Sequence, residues 1–198
     1  MRKILLFMAL VTAPLAAMAE GAGGSLLSTF DAHLKSLGCY RVLFGVRADG
    51  YESTGEYVVD GSDFYVASDG VEVYVEKGVK YQVNGAGREV VVDTAASLGN
   101  DIISNPAMGF ASLAESLVAT DLVVGGRQAV RLTPKQGSTA AETITIEADK
   151  SGRVPSRITY AADGGSIIID IKSVDLCHDG LPRFDASKYV DFETVDMR

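Results

Sequence analysis

Few residues in this chain are of a type and spacing that could do chemistry. It holds two cysteines and two histidines, and Cys177 stands directly before His178. A thiolate beside an imidazole is a nucleophile–base pair. Neighbours in a strand or loop point apart, so these two cannot share a proton. Cys39, Cys177, His33 and His178 repeat no ligand spacing, which argues against zinc, and no metal is expected. The chemistry left to the cysteines is oxidation. In an exported chain, Cys39 and Cys177 form one disulfide or remain two free thiols, and the compartment favours the disulfide. No phosphate-binding Gly-rich loop, Gly-x-Ser-x-Gly elbow or His-Glu-x-x-His occurs. Carboxylates are plentiful but fall in turns or on the polar parity of strands. Asp170, within Ile167–Ile171, is the oddest; alternation puts it on an outer face with Ser166, Ile168 and Lys172. No cofactor and no enzymatic activity are expected, with a hydrolase of unrecognised site as the remaining alternative.

The elements around these residues are strands. From Gly55 to Asp93 run five short pieces rich in Val, Tyr and Phe, each ended by Gly with Asp, Ser, Asn or Lys. Val71, Val73 and Val75 alternate with Glu72, Tyr74 and Glu76; Val79, Tyr81 and Val83 alternate with Lys80, Gln82 and Asn84. That period of two predicts one apolar and one wet face. The turns are too short for crossover helices, so the strands meander antiparallel.

Arg2 and Lys3 precede an apolar run from Ile4 to Leu15, and Ala17-Met18-Ala19 offers a small-x-small cleavage site. These are the marks of a secretory signal peptide, residues 1–19, cleaved after Ala19. No lipobox cysteine follows, so the product is expected to be soluble, exported and, in a bacterial envelope, periplasmic. Residues 20–198 are long enough for a single domain with a sizeable core. Without Arg2 and Lys3, 16 basic residues face 26 acidic ones, a net charge of -10. Such a surface repels phosphate backbones, so no nucleic acid is expected as partner.

Before the wall of strands, Leu26, Leu27, Phe30, Leu34 and Leu37 follow a helical spacing, with Asp31, His33 and Lys35 on the other face. After Asp93 the period changes again. Leu98, Ile102, Ile103, Met108, Phe110, Leu113 and Leu117 predict one or two helical pieces broken at Asn105-Pro106. Strand signals resume at Leu122–Val124 and Gln128–Thr133 and continue through Thr143–Ala148, Ser156–Ala161, Ser166–Val174 and Tyr189–Val195. About ten strands and two or three helices result. The fold class is mainly β (α+β): an incompletely closed, strongly curved antiparallel β-barrel, helices covering its concave face. Val42, Phe44, Tyr57, Val59, Phe64, Val66, Val73, Ile144, Ile146 and Ile169 are expected on that face, lining either a ligand cavity or a dry packed core.

Several segments resemble the periplasmic outer-membrane lipoprotein carriers, the LolA-like proteins. They are Gly55-Glu-Tyr-Val-Val-Asp-Gly-Ser-Asp-Phe64, Val66-Ala-Ser-Asp-Gly70, Ser104-Asn-Pro-Ala-Met108, Leu132-Thr-Pro-Lys135 with its Thr-Ile-Thr-Ile strand, Phe184-Asp185 and Val195-Asp-Met-Arg198. The resemblance covers nearly the whole mature chain in order and implies a divergent member. It implies a half-open barrel with a helical lid that buries the acyl chains of lipoproteins, with an inner-membrane releasing complex and an outer-membrane acceptor as partners of a monomer. The same scaffold could instead sense a lipid or lipoprotein. On this reading the helix from Ala107 to Leu117 is a movable lid, and Met108, Phe110, Leu113 and Leu117 touch barrel or ligand. One departure stands out. Better-known members latch the lid with an Arg in the turn between their second and third strands, where this chain has Val59-Asp60-Gly61-Ser62.

Overall fold

The computed structural model describes residues 23–99, 102, 104–136, 143–162 and 164–198. The expected leader, residues 1–19, and its cleavage point lie outside the described residues, as do Asp101, Ile103 and Asp163. Helix α1 (Gly23–Leu37) is followed by the meander β1 (Cys39–Ala48), β2 (Tyr51–Asp60), β3 (Asp63–Ser68), β4 (Val71–Glu76), β5 (Val79–Asn84) and β6 (Glu89–Thr94). The connection that follows holds two 3₁₀ turns, Ala95–Ser97 and Pro106–Met108, and one turn of helix α2 (Leu113–Ser116). Then come β7 (Leu117–Val124), β8 (Arg127–Pro134), β9 (Thr143–Ala148), β10 (Pro155–Ala162), β11 (Gly165–Leu176) and β12 (Glu193–Asp196).

Among the described residues, twelve strands form one sheet in the order β12-β6-β5-β4-β3-β2-β1-β11-β10-β9-β8-β7. Its two ends, β12 and β7, do not meet, so the barrel stays open. Every pairing is antiparallel except β12 with β6, which is parallel. The short turns follow from residue type: Asp69 (φ 51°) and Gly70 (φ 74°) both adopt the left-handed conformation that a two-residue hairpin requires.

The concave side carries the main core. Leu26, Leu27, Phe30 and Leu34 of α1 pack with Val42, Val59, Phe64, Val75, Val130, Leu132, Ile144 and Ile146 of the sheet, and with Phe110 and Leu113 of the connection. Each such large apolar side chain withdrawn from water contributes roughly 1.5–3 kcal/mol. Helix α1 packs over β7 and β8, α2 also over β7 and β8, and the Pro106–Met108 turn over β2 and β3, so several helical pieces share the cover of the concave face.

Two expectations are corrected here. The continuous helix from Ala107 to Leu117 is absent: the chain turns at Gly109 (φ 83°), α2 is four residues long, and Leu117 already belongs to β7. The convex face is not wet throughout. Val58, Tyr65, Tyr74, Val83, Val90 and Val92 are buried on it beneath Leu181, Phe184, Tyr189 and Phe192 of the C-terminal segment. Across β4 and β5 the apolar parity changes sides. Tyr74 pairs with Tyr81 on the convex face, whereas Val75 pairs with Lys80 on the concave one. Lys80 there meets Asp93 at 3.4 Å.

The C-terminal segment is held as a strap. Phe184 stacks on Tyr81 (centroids 4.2 Å apart, planes at 8°) and on Tyr189 (5.6 Å, 7°). Arg183 reaches Asp63 at 2.8 Å and Glu76 at 3.3 Å. Glu72 accepts hydrogen bonds from Tyr65 Oη (3.0 Å) and Tyr189 Oη (2.6 Å). At the strap's root, Cys39 and Cys177 are joined in a disulfide, their Cα atoms 5.4 Å apart.

Candidate functional site

The groups that could have done chemistry are engaged in structure. Both cysteines are in the disulfide, which removes the thiol beside His178. Among the described residues, no group of three His, Cys, Asp or Glu side chains is arranged to hold a metal ion. Asp170 faces outward as its parity predicts, between Arg157 Nε at 2.7 Å and Arg47 Nη2 at 2.6 Å. Partial burial pushes its carboxyl up, but the hydrogen bonds from Arg157 and Arg47 outweigh this and hold it below the ordinary range. It is a strut between neighbouring strands.

What the concave face offers instead is an apolar pocket. Its floor follows from strand register. Ile158 of β10 pairs with Ile169 of β11, which pairs with Val46 of β1. In the next row Ile171 pairs with Phe44, Phe44 with Gly55, and Gly55 with Ser68. Tyr57 and Val66 pair beyond them. Because side chains one row apart sit two residues apart along each strand, all of these share a face. With Ile102 from the β6–β7 connection they enclose about 170 Å³.

The pocket's shape depends on Gly55. A Cβ there would lie 2.6 Å from Cζ of Phe44 and 2.6 Å from the carbonyl oxygen of Ala67, so the Phe44 ring occupies the space a side chain would need. Phe44 is propped in turn by Tyr57, with centroids 6.1 Å apart, and Tyr57 by Tyr40 at 6.4 Å, edge to face. Burial, and then the neighbouring Tyr40, push the Tyr57 phenol far above its ordinary range, so it presents a neutral hydroxyl. At the β2–β3 edge, Ser68 Oγ lies 3.4 Å from Ser53 Oγ.

Of the residues expected to line a cavity, Phe44, Tyr57, Val66 and Ile169 line this pocket. Val42, Val59, Phe64, Ile144, Ile146, Phe110 and Leu113 are buried in the core under α1. Val73, Met108 and Leu117 are half-buried and pack at that core's edge. Val46, Ser68, Ile102, Ile158 and Ile171 line the pocket without having been singled out. Val46 shares the parity of Phe44, and Ile171 that of Ile169, so alternation alone could have found both.

A second hollow, of about 440 Å³, lies between the end of α1, the β1–β2 end and Pro106–Phe110. Its lining mixes apolar groups with Asp31, Lys35 and Asp60, so it is less suited to an apolar ligand. Asp31 was expected on the solvent face of α1 and is instead buried. Its Oδ1 accepts the backbone N–H of Phe110 at 2.6 Å and its Oδ2 that of Ala111 at 3.0 Å. Its place four residues after Leu27 and three before Leu34, within the apolar stripe, was the signal. Gly109 makes room: a Cβ there would be 3.0 Å from Asp31 Oδ2. Phe30 and Phe110 meet edge to face alongside, 5.6 Å apart.

Fold and pocket together define an open, mainly antiparallel barrel with an apolar pocket on its concave side. No protein-family model and no curated protein sequence matches the chain. Solved structures of similar shape do exist. An uncharacterized conserved protein from Thermus thermophilus is 11% identical, with 87% of this chain and 97% of that chain covered and a TM-score of 0.51. A LolA superfamily protein from Nitrosomonas europaea is 10% identical, with 84% and 96% covered and a TM-score of 0.42. The third comes from the Pseudomonas aeruginosa MucA/MucB complex, 14% identical, with a TM-score of 0.47 and 81% of this chain covered; this chain spans 58% of that one. At such identities the likeness is one of fold.

Proposed function

We propose that this chain binds the acyl chains of lipoproteins in its concave pocket and carries them through the periplasm toward the outer membrane. The observation that carries this reading is the pocket itself: seven apolar side chains and two hydroxyl-bearing ones on the inner face of a sheet that does not close. Each methylene moved from water into it gains about 0.8 kcal/mol, so an acyl chain is the ligand for which such a surface is built. Binding without chemistry fits a site that gathers no acid, base or nucleophile. The disulfide suits an oxidising compartment. The sequence resemblance to LolA-like carriers implies the same role.

The test is to express the full chain with its leader, purify it from the periplasm and analyse what accompanies it by mass spectrometry. Acylated lipoprotein should accompany the wild type and be lost from Ile171→Glu, which puts a charge at a half-buried wall of the pocket. Loaded protein mixed with outer-membrane vesicles should then surrender its cargo. Cargo that binds but is never delivered would replace the carrier with a sensing module. Absence of any acylated species, together with no uptake of a labelled lipoprotein from detergent, would end the reading.

A further inference from the structure

We infer that a third hollow, between the first turns of α1, the β7–β8 hairpin and the β9–β10 turn, binds a small zwitterion, with a primary ammonium at Asp121 and an oxyanion at Arg153. This site is separate from the acyl pocket and does not rest on the reading above.

The hollow measures about 530 Å³, within the roughly 300–1,000 Å³ usual for small-molecule sites. Ser25 and Thr29 of α1 line it together with Asp121, Gln128 and Arg153, and Leu26 and Ala129 supply apolar surface. It shares no residue with the acyl pocket.

Asp121 is the first anomaly. Leu117 and Ala119, four and two residues before it on the same parity, pack against the main core. Asp121 itself pairs with Val130, which is fully buried there. Successive side chains alternate between faces, so a carboxylate stands on the parity that faces α1. No described residue gives it a hydrogen bond or an ion pair. Desolvation, with nothing to offset it, pushes its carboxyl above the ordinary range.

Arg153 is the second. The turn that carries it is fastened through its backbone: Asp149 Oδ1 accepts Ser151 Oγ at 2.9 Å and the backbone N–H of Arg153 at 3.1 Å. The nearest carboxylate in sequence is thereby spent inside the turn. The Arg153 guanidinium has no ion-pair partner among the described residues. Gly152 (φ 71°) lets the turn close down on β8, since a Cβ there would lie 2.9 Å from Oε1 of Gln128.

Opposite charges thus line one hollow without meeting each other. Only β8 separates β7, which carries Asp121, from β9, whose turn carries Arg153, a gap of roughly 10 Å between backbones. A simple cation or anion in that gap satisfies one charge and leaves the other unmatched. A molecule with an ammonium and an oxyanion a few bonds apart satisfies both, the guanidinium offering a fork of donors to a phosphate or carboxylate. The phosphoethanolamine head of a phospholipid and a free amino acid share this chemistry. Both protein charges are reached by solvent, which screens them, so binding is weak.

Amide chemical-shift titration of the ¹⁵N-labelled mature protein at pH 7 suits weak binding and locates it. The probes are O-phosphoethanolamine, L-leucine, ethanolamine and inorganic phosphate. At least one zwitterion should bind about fivefold or more tightly than either single-charge probe, moving amides of residues 25–29, 121–129 and 151–153. Asp121→Asn and Arg153→Gln should each abolish that advantage, and both should keep the acyl uptake of the concave pocket, so the two readings fail separately. Sedimentation with mixed phosphatidylcholine–phosphatidylethanolamine vesicles, lost in Arg153→Gln, would assign the lipid head as the source. Tighter binding of L-leucine without vesicle binding would assign the free amino acid. Single-charge probes binding as tightly as both zwitterions, shifts that avoid these residues, or an advantage that survives both substitutions would overturn the site.

Discussion

Oδ1 of Asp31 accepts the backbone N–H of Phe110 at 2.6 Å, across 79 residues of sequence. Its other oxygen takes the N–H of Ala111. A carboxylate on the covering helix thereby pins the segment between Pro106 and α2 against the barrel. Asp31→Ala leaves two inward-facing amides without acceptors, at about 1–3 kcal/mol each. Asp31→Asn keeps one acceptor and should lose less. Urea unfolding gives the stabilities. Hydrogen exchange should show the amides of residues 107–116 opening faster in Asp31→Ala while the β2–β5 amides keep their protection. Unchanged exchange at 110 and 111 would remove Asp31 as the latch.

Much of the fold was legible because a sheet writes its period into the chain. Val71, Val73 and Val75 could be placed on one face from alternation alone. The convex strap could not. Tyr65 and Tyr74 sit at positions that read as half-polar, and what buries them is Phe184 and Tyr189, more than a hundred residues later, in a segment whose strand, Glu193–Asp196, begins only after both. Nor could the break at Gly109 be read. Phe110, Leu113 and Leu117 recur at helical spacing, yet Leu117 is a strand residue. The turn at Gly109 depends on a carboxylate from the first helix, a long-range partner that local pattern does not contain. The pocket was half legible for a related reason. Parity places a side chain on the concave face, but whether it is then buried in the core, as with Phe64, or left at the pocket, as with Phe44, depends on where the covering segments lie.

The disulfide closes a loop of 138 residues. On the chain-entropy model, closure of that length restricts the unfolded chain by about 5 kcal/mol at 25 °C, less any native strain. The double variant Cys39→Ser/Cys177→Ser should therefore unfold at markedly lower guanidinium concentration, with β12 and the strap the first parts to gain protease sensitivity. Thiol titration of the unfolded, unreduced wild type should find no free thiol. Two titratable thiols would contradict the bond.

Alkali should unfold the protein in a particular window. Burial, and then the charge of Asp31, push the Tyr40 phenol up to about 12 from an ordinary 10.0. Burial followed by the hydrogen bond to Glu72 raises Tyr65 and Tyr189 as well. Groups whose pKa is raised in the fold stabilise it fully below their unfolded value, and that contribution is lost as pH rises through the folded one. Stability should thus hold up to about pH 10 and fall above it as these phenols ionise. Phenolate absorbance should show part of the eight tyrosines ionising only together with unfolding. A smooth titration of all eight well before unfolding would rule out the coupling.

The pocket's dependence on Gly55 gives the most local prediction. In Gly55→Ala the new methyl meets two obstacles at 2.6 Å, the Phe44 ring and the backbone oxygen of Ala67. The ring lines the pocket and can yield into it, with Tyr57 6.1 Å away as its neighbour. The carbonyl can retreat only by parting β2 from β3. Overpacking of this kind costs about 1–3 kcal/mol, and the two routes leave different traces. If the ring yields, binding of monooctanoylglycerol, an acyl-chain probe, should fall at least about tenfold, a loss of some 1.4 kcal/mol, while the β2–β3 amides stay protected. Adding Phe44→Leu, which frees the space of the ring, should restore most of the binding. If the strand yields instead, the amides of Tyr57 and Val66 should exchange faster and the second substitution should restore nothing. Because Phe44 ends in a flexible side chain and Ala67 O in a sheet held by neighbours on both sides, the first outcome is the one expected. Full binding by Gly55→Ala alone would mean that the Phe44 ring does not shape the pocket.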